Sequence, residues 1–232
     1  MHKLNPETSI TVCACASRNI MNKSEITKLV FAMENAGFTV KIVRDLCKTA
    51  ISDVEQMAEI AATTLVACYP RAVKSIFDRA GLKPANVFDI RNNSSEHILN
   101  EIGISQPAFS SEKLFPEFLP DEEQEAWYPA IDNERCTKCG KCHDFCLFGV
   151  YSIDEGLVKV TQPRNCKTNC PACARVCPSK AIIFPKYEKS PINGGLLDEE
   201  QLSGTDAKVL YNTALKHKLE ERRTKISLLR KK

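Results

Sequence analysis

Apolar and polar positions alternate in short runs over residues 8–105 and predict strands separated by helices. Alternating or continuous apolar runs predict strands at residues 9–13, 38–43, 64–67 and 86–90. Apolar residues at helical spacing predict helices at residues 24–36, 52–62 and 72–80. The order βαβαβαβ predicts parallel strands joined by right-handed crossovers, with helices covering the sheet.

Capping residues and glycines define the predicted helix ends. Ser24 is a candidate N-cap of the first helix, and Gly37 follows its last turn. The apolar stripe of that helix consists of Ile26, Leu29, Val30 and Met33. The second helix has its predicted buried face at Val54, Met57, Ala58 and Ala61. Gly81 closes the third helix, so residues 1–105 are predicted to form a small parallel-sheet α/β domain.

Residues 106–130 lack this alternation and are predicted to be a linker. Four prolines interrupt the segment, and residues 121–125 form an acidic run. Its aromatic and apolar residues suggest a strap over a neighbouring surface: Phe115, Phe118, Leu119, Trp127 and Tyr128. A solvated loop is the alternative, and it fits the acidic part better than the aromatic part.

The last segment, residues 188–232, is predicted to be a basic helical tail. From Asp206 onward it contains nine Lys or Arg and three Asp or Glu. A loose helical stripe is formed by Leu210, Leu215, Leu219, Ile226 and Leu229. The pattern is consistent either with docking on an acidic partner or with packing on the protein itself.

The composition restricts the class of protein. With 26% charged and 43% hydrophobic residues, the chain resembles soluble globular proteins, which excludes global disorder. It contains neither an 18-residue apolar run nor a convincing signal peptide, so we expect a cytoplasmic protein without a membrane span. The net charge of +3 is too small to indicate nucleic-acid binding. The twelve cysteines are unusual, because in a reducing cytosol they indicate metal or redox chemistry more than disulfides.

Eight of these cysteines form a duplicated pattern. The first motif is Cys136-x2-Cys139-x2-Cys142-x3-Cys146, and the second is Cys166-x3-Cys170-x2-Cys173-x3-Cys177-Pro178. A shift of 31 residues relates the last three cysteines of the two motifs, and an apolar run predicted to be a strand follows each motif. A 4Fe–4S cube needs one thiolate on each iron. Three cysteines spaced by two residues wrap one face, and the fourth ligand must come from elsewhere.

This segment resembles the two-cluster 4Fe–4S ferredoxins over residues 131–187. In that motif the fourth cysteine ligates the other cluster, so the resemblance implies two crossed ligand sets. One set is Cys136, Cys139, Cys142 and Cys177. The other set is Cys166, Cys170, Cys173 and Cys146. We therefore expect a dicluster ferredoxin domain with two 4Fe–4S clusters.

Two positions depart from the ferredoxin pattern. Leu147 stands where the first motif usually has proline, and three residues instead of two separate Cys166 from Cys170. We expect the extra residue to form a local bulge without loss of a ligand; otherwise Cys166 is lost first and a three-iron cluster forms. Zinc is the alternative metal, although zinc sites typically use two Cys-x-x-Cys pairs or Cys/His sets. His143 either tunes a cluster through its charge or is an exposed loop residue.

The other four cysteines follow the predicted strands of the α/β domain: Cys13, Cys15, Cys47 and Cys68. Because the carboxyl ends of parallel strands share one edge of the sheet, four thiols can converge there on a third 4Fe–4S cluster. Nearby arginines could offset its negative charge: Arg18, Arg44 and Arg71. Two alternatives stay open. The thiols are simply small buried residues, or the Cys13-x-Cys15 pair forms a thiol or disulfide redox site.

Residues 10–100 also resemble the N-terminal domain of the A subunit of heterodisulfide reductase and its relatives. The matching pieces are residues 12–20, 46–47, 65–71, 80–84 and 89–91. Those relatives have a Cys-x-Cys-Gly-type opening and a Cys-x-Pro-Arg segment. This chain has Ala16 in place of the glycine, so the turn after Cys15 is expected to differ. The chain lacks the glycine-rich G-x-G-x-x-G loop, so we expect neither a flavin nor a nicotinamide site.

These patterns favour a non-catalytic electron-transfer subunit or carrier over an enzyme. The resemblance implies a heterodisulfide-reductase-like or other flavin or hydrogenase redox complex, with flavoprotein, hydrogenase or reductase subunits as partners. Oxygen-labile clusters favour an anaerobic physiology. The first alternative is an enzyme that uses an N-terminal cysteine-bound cluster to reduce thiols or disulfides. The second is an assembly or sensor protein in which the clusters are structural.

Overall fold

A four-stranded parallel sheet organises the first part of the molecule. The computed structural model describes residues 4–5, 8–18, 20–104, 115–119 and 125–197. The strands are β1 (Ser9–Cys13), β2 (Thr39–Val43), β3 (Thr64–Ala67) and β4 (Asn86–Asp89). They pair in the order β2-β1-β3-β4, and every pairing is parallel, as the alternation of strands and helices predicts. The two central strands, β1 and β3, are almost entirely buried because helices cover both faces of the sheet.

Within the described part of the chain, five helices accompany this sheet. They are α1 (Lys23–Asn35), α2 (Leu46–Ser52), α3 (Val54–Ala61), α4 (Pro70–Arg79) and α5 (Ser95–Ile102). The apolar stripe predicted for α1 is buried in full. Pro70 begins α4, which suits proline because the first helical residue needs no backbone donor. Helix α5, absent from the predicted elements, is capped by Ser94 and ends at the left-handed Gly103 (φ 96°).

Two helix predictions need correction. The N-cap of α1 is Asn22, whose side chain accepts hydrogen bonds from the backbone N–H of Ser24 and Glu25, so Ser24 is not the cap. The helix predicted at residues 52–62 is α3, which begins after its own cap, Asp53. Its buried residues are Met57 and Ile60; Ala58 is exposed, and Val54 is 60% exposed.

The second part of the molecule consists of short strands and helices in two related halves. The strands are β5 (Ala130–Ile131), β6 (Tyr151–Asp154), β7 (Leu157–Val160) and β8 (Ile182–Ile183), and the helices are α6 (Lys141–Phe145) and α7 (Ala172–Val176). Strand β5 pairs antiparallel with β8, and β6 pairs antiparallel with β7. Helices α6 and α7 begin 31 residues apart, as do β6 and β8, so the sequence repeat is also a structural repeat.

The segment predicted to be an aromatic strap packs against both parts of the molecule. Phe115, Phe118, Trp127 and Tyr128 are buried, whereas Leu119 is 53% exposed and does not contribute. The Tyr128 hydroxyl donates a hydrogen bond to the backbone carbonyl of Cys47 (2.7 Å), and the Trp127 ring stacks on Phe184 at 5.6 Å between centroids. The aromatic part is therefore a packed segment, while residues 121–124 of the acidic run lie outside the described residues.

Residues up to Leu196 form one compact unit, which includes the sheet and the duplicated segment. The apolar stripe predicted for the basic tail lies outside the described residues. Among the described helices, none is both long enough and apolar enough to cross a membrane.

Candidate functional site

Two cavities in the duplicated segment are each lined by four cysteines. The α6 cavity is lined by Cys136, Cys139, Cys142 and Cys177. The α7 cavity is lined by Cys146, Cys166, Cys170 and Cys173. Each cavity therefore combines three cysteines of one motif with the last cysteine of the other. All twelve cysteines of the chain are free thiols in this structure.

Left-handed residues make the tight turns that bring neighbouring cysteines to one cavity. Lys138 (φ 58°) lies between the first two cysteines of the first motif, and Asn169 (φ 64°) lies 31 residues later in the second. Gly149 (φ 63°) and Lys180 (φ 54°) form another such pair, three residues after Cys146 and Cys177. The same unusual backbone conformation recurs at the same repeat position, so the duplication extends to the loops that aim the thiols.

The extra residue in the second motif is accommodated in a local turn. The backbone N–H of Cys170 donates to the carbonyl of Lys167 (3.1 Å), and Asn169 adopts its left-handed conformation. Cys166 still lines the α7 cavity together with Cys170. The Asn169 side-chain oxygen also accepts a hydrogen bond from Arg18 at 2.6 Å, so the loop that contains the extra residue contacts the α/β part of the molecule.

Burial sets the pKa values of several thiols in these two cavities. It raises the pKa of Cys142 to about 11 and the pKa values of Cys166 and Cys173 to about 12. Cys139 is exposed, and the backbone N–H of Lys141 is the main cause that lowers its pKa. Buried thiols are therefore protonated at neutral pH, and binding of a metal must displace their protons.

Hydrogen bonds to sulfur differ between the two cavities. The Tyr151 hydroxyl donates to the Sγ of Cys173 at 3.0 Å in a buried position of the α7 cavity. The repeat places Ile182, which has no hydroxyl, at the equivalent position beside the α6 cavity. The Sγ of Cys177 instead accepts from the backbone N–H of Ala181 at 3.3 Å, and the Ser179 hydroxyl lies 3.6 Å from the same sulfur.

Exposed apolar side chains surround the α7 cavity. Leu147, which replaces the proline of the ferredoxin motif, is 92% exposed, and Phe145 and Phe148 are 49% and 42% exposed. All three line the cavity beside Cys146. This side of the molecule is therefore an apolar surface directly beside the thiols.

The four N-terminal cysteines come together at the carboxyl edge of the parallel sheet and define the sheet-edge site. Cys13 ends β1, Cys15 follows two residues later, Cys47 lies in the first turn of α2, and Cys68 follows β3. All four are buried, with exposed fractions of 6% to 9%. The strand order thus brings together thiols that are far apart in sequence.

The pKa values of these thiols show how closely the groups interact. Burial is the main cause that raises the pKa of Cys13 to about 11, with the Asp45 charge second. Burial also raises the pKa values of Cys15, Cys47 and Cys68 well above 9.0, and ionisation of neighbouring thiols of the same group raises them further. The sheet-edge site is therefore a group of buried thiols that are neutral at neutral pH and close enough for ionisation of one to oppose ionisation of another.

The chain turns at Cys15 without a glycine. Cys15 itself is left-handed (φ 46°), and Ala16 has no positive φ. The backbone N–H of Ala16 donates to the carbonyl of Arg44 (2.9 Å). The freedom of a glycine is therefore not needed at residue 16.

Two of the arginines expected beside the sheet-edge site pair with carboxylates. Arg18 forms a bidentate pair with Glu125 at 2.6 and 2.9 Å. Arg71 contacts Asp132 at 2.7 Å and donates to the carbonyls of Lys180 and Gly194. These side chains connect the sheet edge with the duplicated segment.

A buried cation that sequence reasoning missed is present at the same edge. Lys186, which follows β8, forms an ion pair with Asp45 at 2.5 Å, with side-chain exposures of 4% and 6%. Burial lowers the pKa of Lys186, but the charges of Cys47 and Asp45 outweigh it and hold this pKa above its ordinary value. No sequence signal pointed to Lys186, because it is 141 residues from Asp45 and meets it only in the folded chain.

The described residues contain no group of three or more His, Cys, Asp or Glu side chains that could hold a single metal ion. Thiolates on one zinc ion lie about 3.8 Å apart, since each Zn–S bond is about 2.3 Å. A cube separates its four thiolates further, because each thiolate binds a different iron. The donor chemistry of the α6 and α7 cavities, four thiols each, fits a cube.

Comparison with known proteins gives three relatives from Methanocaldococcus jannaschii. The uncharacterized ferredoxin MJ0251 is 43% identical over 81 residues, which cover 34% of this chain and 54% of that protein. The pyruvate synthase subunit PorD is 40% identical over 62 residues, or 26% of this chain and 70% of that subunit. The uncharacterized ferredoxin MJ0722 is 37% identical over 57 residues, or 23% of this chain and 73% of that protein.

The chain thus spans about half the length of MJ0251 and over two thirds of the other two relatives. No family model matches the chain.

Proposed function

This chain belongs to the ferredoxin family, and we propose that it relays single electrons between other redox proteins as a carrier or subunit with three 4Fe–4S clusters. The relatives support the general function, an iron–sulfur electron carrier. A 4Fe–4S cluster supplies reversible one-electron chemistry at a potential that depends on its surroundings. The observation that carries the proposal is the division of eight cysteines into two crossed sets of four.

In this proposal the α6 and α7 cavities hold one cluster each through the thiolates that line them. Tyr151 donates to one ligand sulfur of the α7 cavity, and the backbone N–H of Ala181 donates to one of the α6 cavity. Such hydrogen bonds stabilise the more negative, reduced state and raise the potential. The two sites therefore have different local chemistry although their ligand patterns repeat.

The sheet-edge site is proposed to hold the third cluster. Its four thiols lie at one edge of the sheet, interact electrostatically, and have a buried lysine nearby. An enzyme that reduces substrate thiols or disulfides would need a reactive, accessible thiolate. These thiols are at most 9% exposed and have raised pKa values, which favours a ligand role over a nucleophilic one.

We propose a redox protein as the partner that meets the α7 cavity. The apolar rim formed by Phe145, Leu147 and Phe148 lies beside the thiols of that cavity, where close approach shortens the electron-transfer distance. The relative PorD is a subunit of pyruvate synthase, which makes a role within a larger complex plausible for this chain. The resemblance of residues 10–100 to heterodisulfide reductase favours a flavin-containing or hydrogenase-containing complex.

A pair of matched variants tests the assignment of clusters to sites. Cys47→Ser is expected to lower the iron content of anaerobically purified protein by about four irons and to leave the ferredoxin-type spectrum intact. Cys139→Ser, in the exposed loop of the α6 cavity, is the reciprocal variant: it changes that spectrum and leaves the sheet-edge site loaded. An unchanged iron content in Cys47→Ser would contradict the third cluster, and an unchanged spectrum in Cys139→Ser would contradict the ferredoxin sites.

A further inference from the structure

A third side chain, that of Ser17, forms hydrogen bonds with both members of the ion pair between Lys186 and Asp45. The Lys186 ammonium donates to Asp45 Oδ2 (2.5 Å) and to Ser17 Oγ (2.7 Å), and the Ser17 hydroxyl donates to the same Asp45 oxygen (2.5 Å). Both charged side chains are buried. The geometry holds the positive and the negative charge in fixed positions.

These residues lie beside the sheet-edge site and come from both parts of the molecule. Asp45 precedes Cys47 by two residues and caps α2 by accepting a hydrogen bond from the backbone N–H of Lys48 (3.2 Å). Ser17 follows Cys15 by two residues. Lys186 comes from the end of the duplicated segment. The duplicated segment therefore contributes a charge to a site whose four cysteines all come from the α/β part of the molecule.

The two charges act on the sheet-edge thiols in opposite directions. Leu46, which directly follows Asp45, donates its backbone N–H to the Sγ of Cys13 at 3.5 Å, so the Asp45 carboxylate and the Lys186 ammonium bound to it lie next to the sheet-edge thiols with opposite charges. Burial makes both effects strong, because water screens them little. A pair this deeply buried is a poor source of stability, since desolvation of two charges offsets most of their attraction.

We propose that Lys186 raises, and Asp45 lowers, the reduction potential of the cluster held by Cys13, Cys15, Cys47 and Cys68. This inference rests on the proposed third cluster. Reduction adds one electron and one negative charge to the site, without forming or breaking a bond, and the electron comes from a low-potential one-electron donor protein. A fixed cation stabilises the added charge and a fixed anion opposes it. Lys186 thus lets the cysteine-rich part adjust the electron affinity of the sheet-edge site.

The test compares Lys186→Met and Asp45→Asn in the full chain with all clusters loaded. Redox titration followed by electron paramagnetic resonance gives the potential of each cluster, and the wave that disappears in Cys47→Ser identifies the sheet-edge site. Lys186→Met is expected to move that potential to more negative values, and Asp45→Asn to more positive values. The other two potentials stay in place. Asparagine keeps the helix cap and leaves an amide oxygen that can accept from Lys186, so Asp45→Asn removes the charge while both hydrogen-bonding roles are retained.

A merely structural role would not produce shifts of opposite sign, because loss of either partner would disturb the same packing. Lys186→Arg keeps the charge and is expected to leave the potential near the wild-type value. If Lys186→Met does not fold, Asp45→Asn and Lys186→Arg still decide the question, since one predicts a positive shift and the other almost none.

Two outcomes would overturn the inference, and they are distinguishable. Three clusters per chain with potentials that stay fixed, or shift in the same direction in both charge-removing variants, would reject the role of the ion pair and leave the third cluster in place. Wild-type protein with about eight irons would reject the third cluster itself, and the inference with it.

Discussion

The sheet-edge site and the duplicated segment bring cysteines together by different means. In the duplicated segment, short spacings and left-handed turns at Lys138 and Asn169 aim neighbouring thiols at one cavity. At the sheet edge, strand order gathers four thiols that are far apart in sequence, and all of them are buried. Local spacing thus tolerates exposed cysteines such as Cys139, whereas assembly from distant positions depends on the surrounding fold.

The largest expected difference between the two regions concerns stability. Lys186→Met leaves Asp45 as an uncompensated buried charge, so the free energy of unfolding should fall by about 3–5 kcal/mol. Chemical denaturation of the anaerobic protein measures this change. The control is Lys159→Met, because Lys159 and Asp154 form an exposed pair on the β6–β7 hairpin and their loss should have no measurable effect. Equal, small effects of the two variants would show that the sheet edge does not depend on this buried pair.

Arg71→Met tests the connection between the regions. Arg71 donates to Asp132 and to two backbone carbonyls, and Asp132 in turn accepts the backbone N–H of Cys136 through its own carbonyl. Loss of these bonds is expected to cost about 2–3 kcal/mol and to accelerate loss of iron from the α6 cavity. Thermal unfolding and the rate of iron release measure both effects. Arg135→Met removes one long hydrogen bond to Ser179 and serves as the control; a similar loss there would contradict the role of Arg71.

Tyr151→Phe tests whether the two halves of the duplication differ. It removes the hydroxyl that donates to Cys173, so the potential of the α7 site should become more negative and stability should fall by about 1 kcal/mol. The same redox titration measures the shift. Tyr128→Phe removes a comparable buried hydrogen bond, but to the carbonyl of Cys47, and should leave the α7 potential unchanged. The difference between the halves would be disproved if both variants moved this potential equally.

A separate effect is expected in the cluster-free protein as the pH rises. The pKa values of the sheet-edge thiols lie above the ordinary value of 9.0, so the unfolded chain loses these protons first. The contribution of these thiols to the free energy of unfolding is therefore fully present below about pH 9 and declines above it. Chemical denaturation of the cluster-free protein at a series of pH values measures this decline.

The reactivity of the thiols provides a separate test. Near neutral pH, alkylation followed by mass spectrometry should modify Cys139 before the four sheet-edge thiols, because its pKa is lowered and it is exposed. Early modification of Cys47 or Cys68 would contradict the buried, neutral state.

Much of this architecture could be predicted because it depends on local patterns. Apolar runs located all four parallel strands, and the 31-residue repeat located both cysteine-rich halves. Helix α2 escaped prediction because its seven residues are too few for a clear period, and its start depends on the Asp45 side chain. The cap of α1 was assigned to Ser24 because its residue type suits a cap, although Asn22 two residues earlier suits it equally.

The site was predictable only as far as spacing and strand order determine it. The convergence of Cys13, Cys15, Cys47 and Cys68 follows from parallel topology, and the structure brings these residues together. Lys186 and Tyr151 could not be predicted, because their contacts to Asp45 and Cys173 form through tertiary packing. The partners of Arg18 and Arg71 were missed for the same reason: a lone arginine in a sequence does not indicate which carboxylate it meets.

The number of electrons that the purified chain accepts is the most direct test of the account. Anaerobic coulometric titration of the fully loaded protein with a one-electron reductant should give reversible uptake of about three electrons per chain, one for each 4Fe–4S cluster. Reversible uptake of about two electrons would contradict a cluster at the sheet-edge site. Irreversible uptake, or none, would contradict electron transfer as the function of the chain.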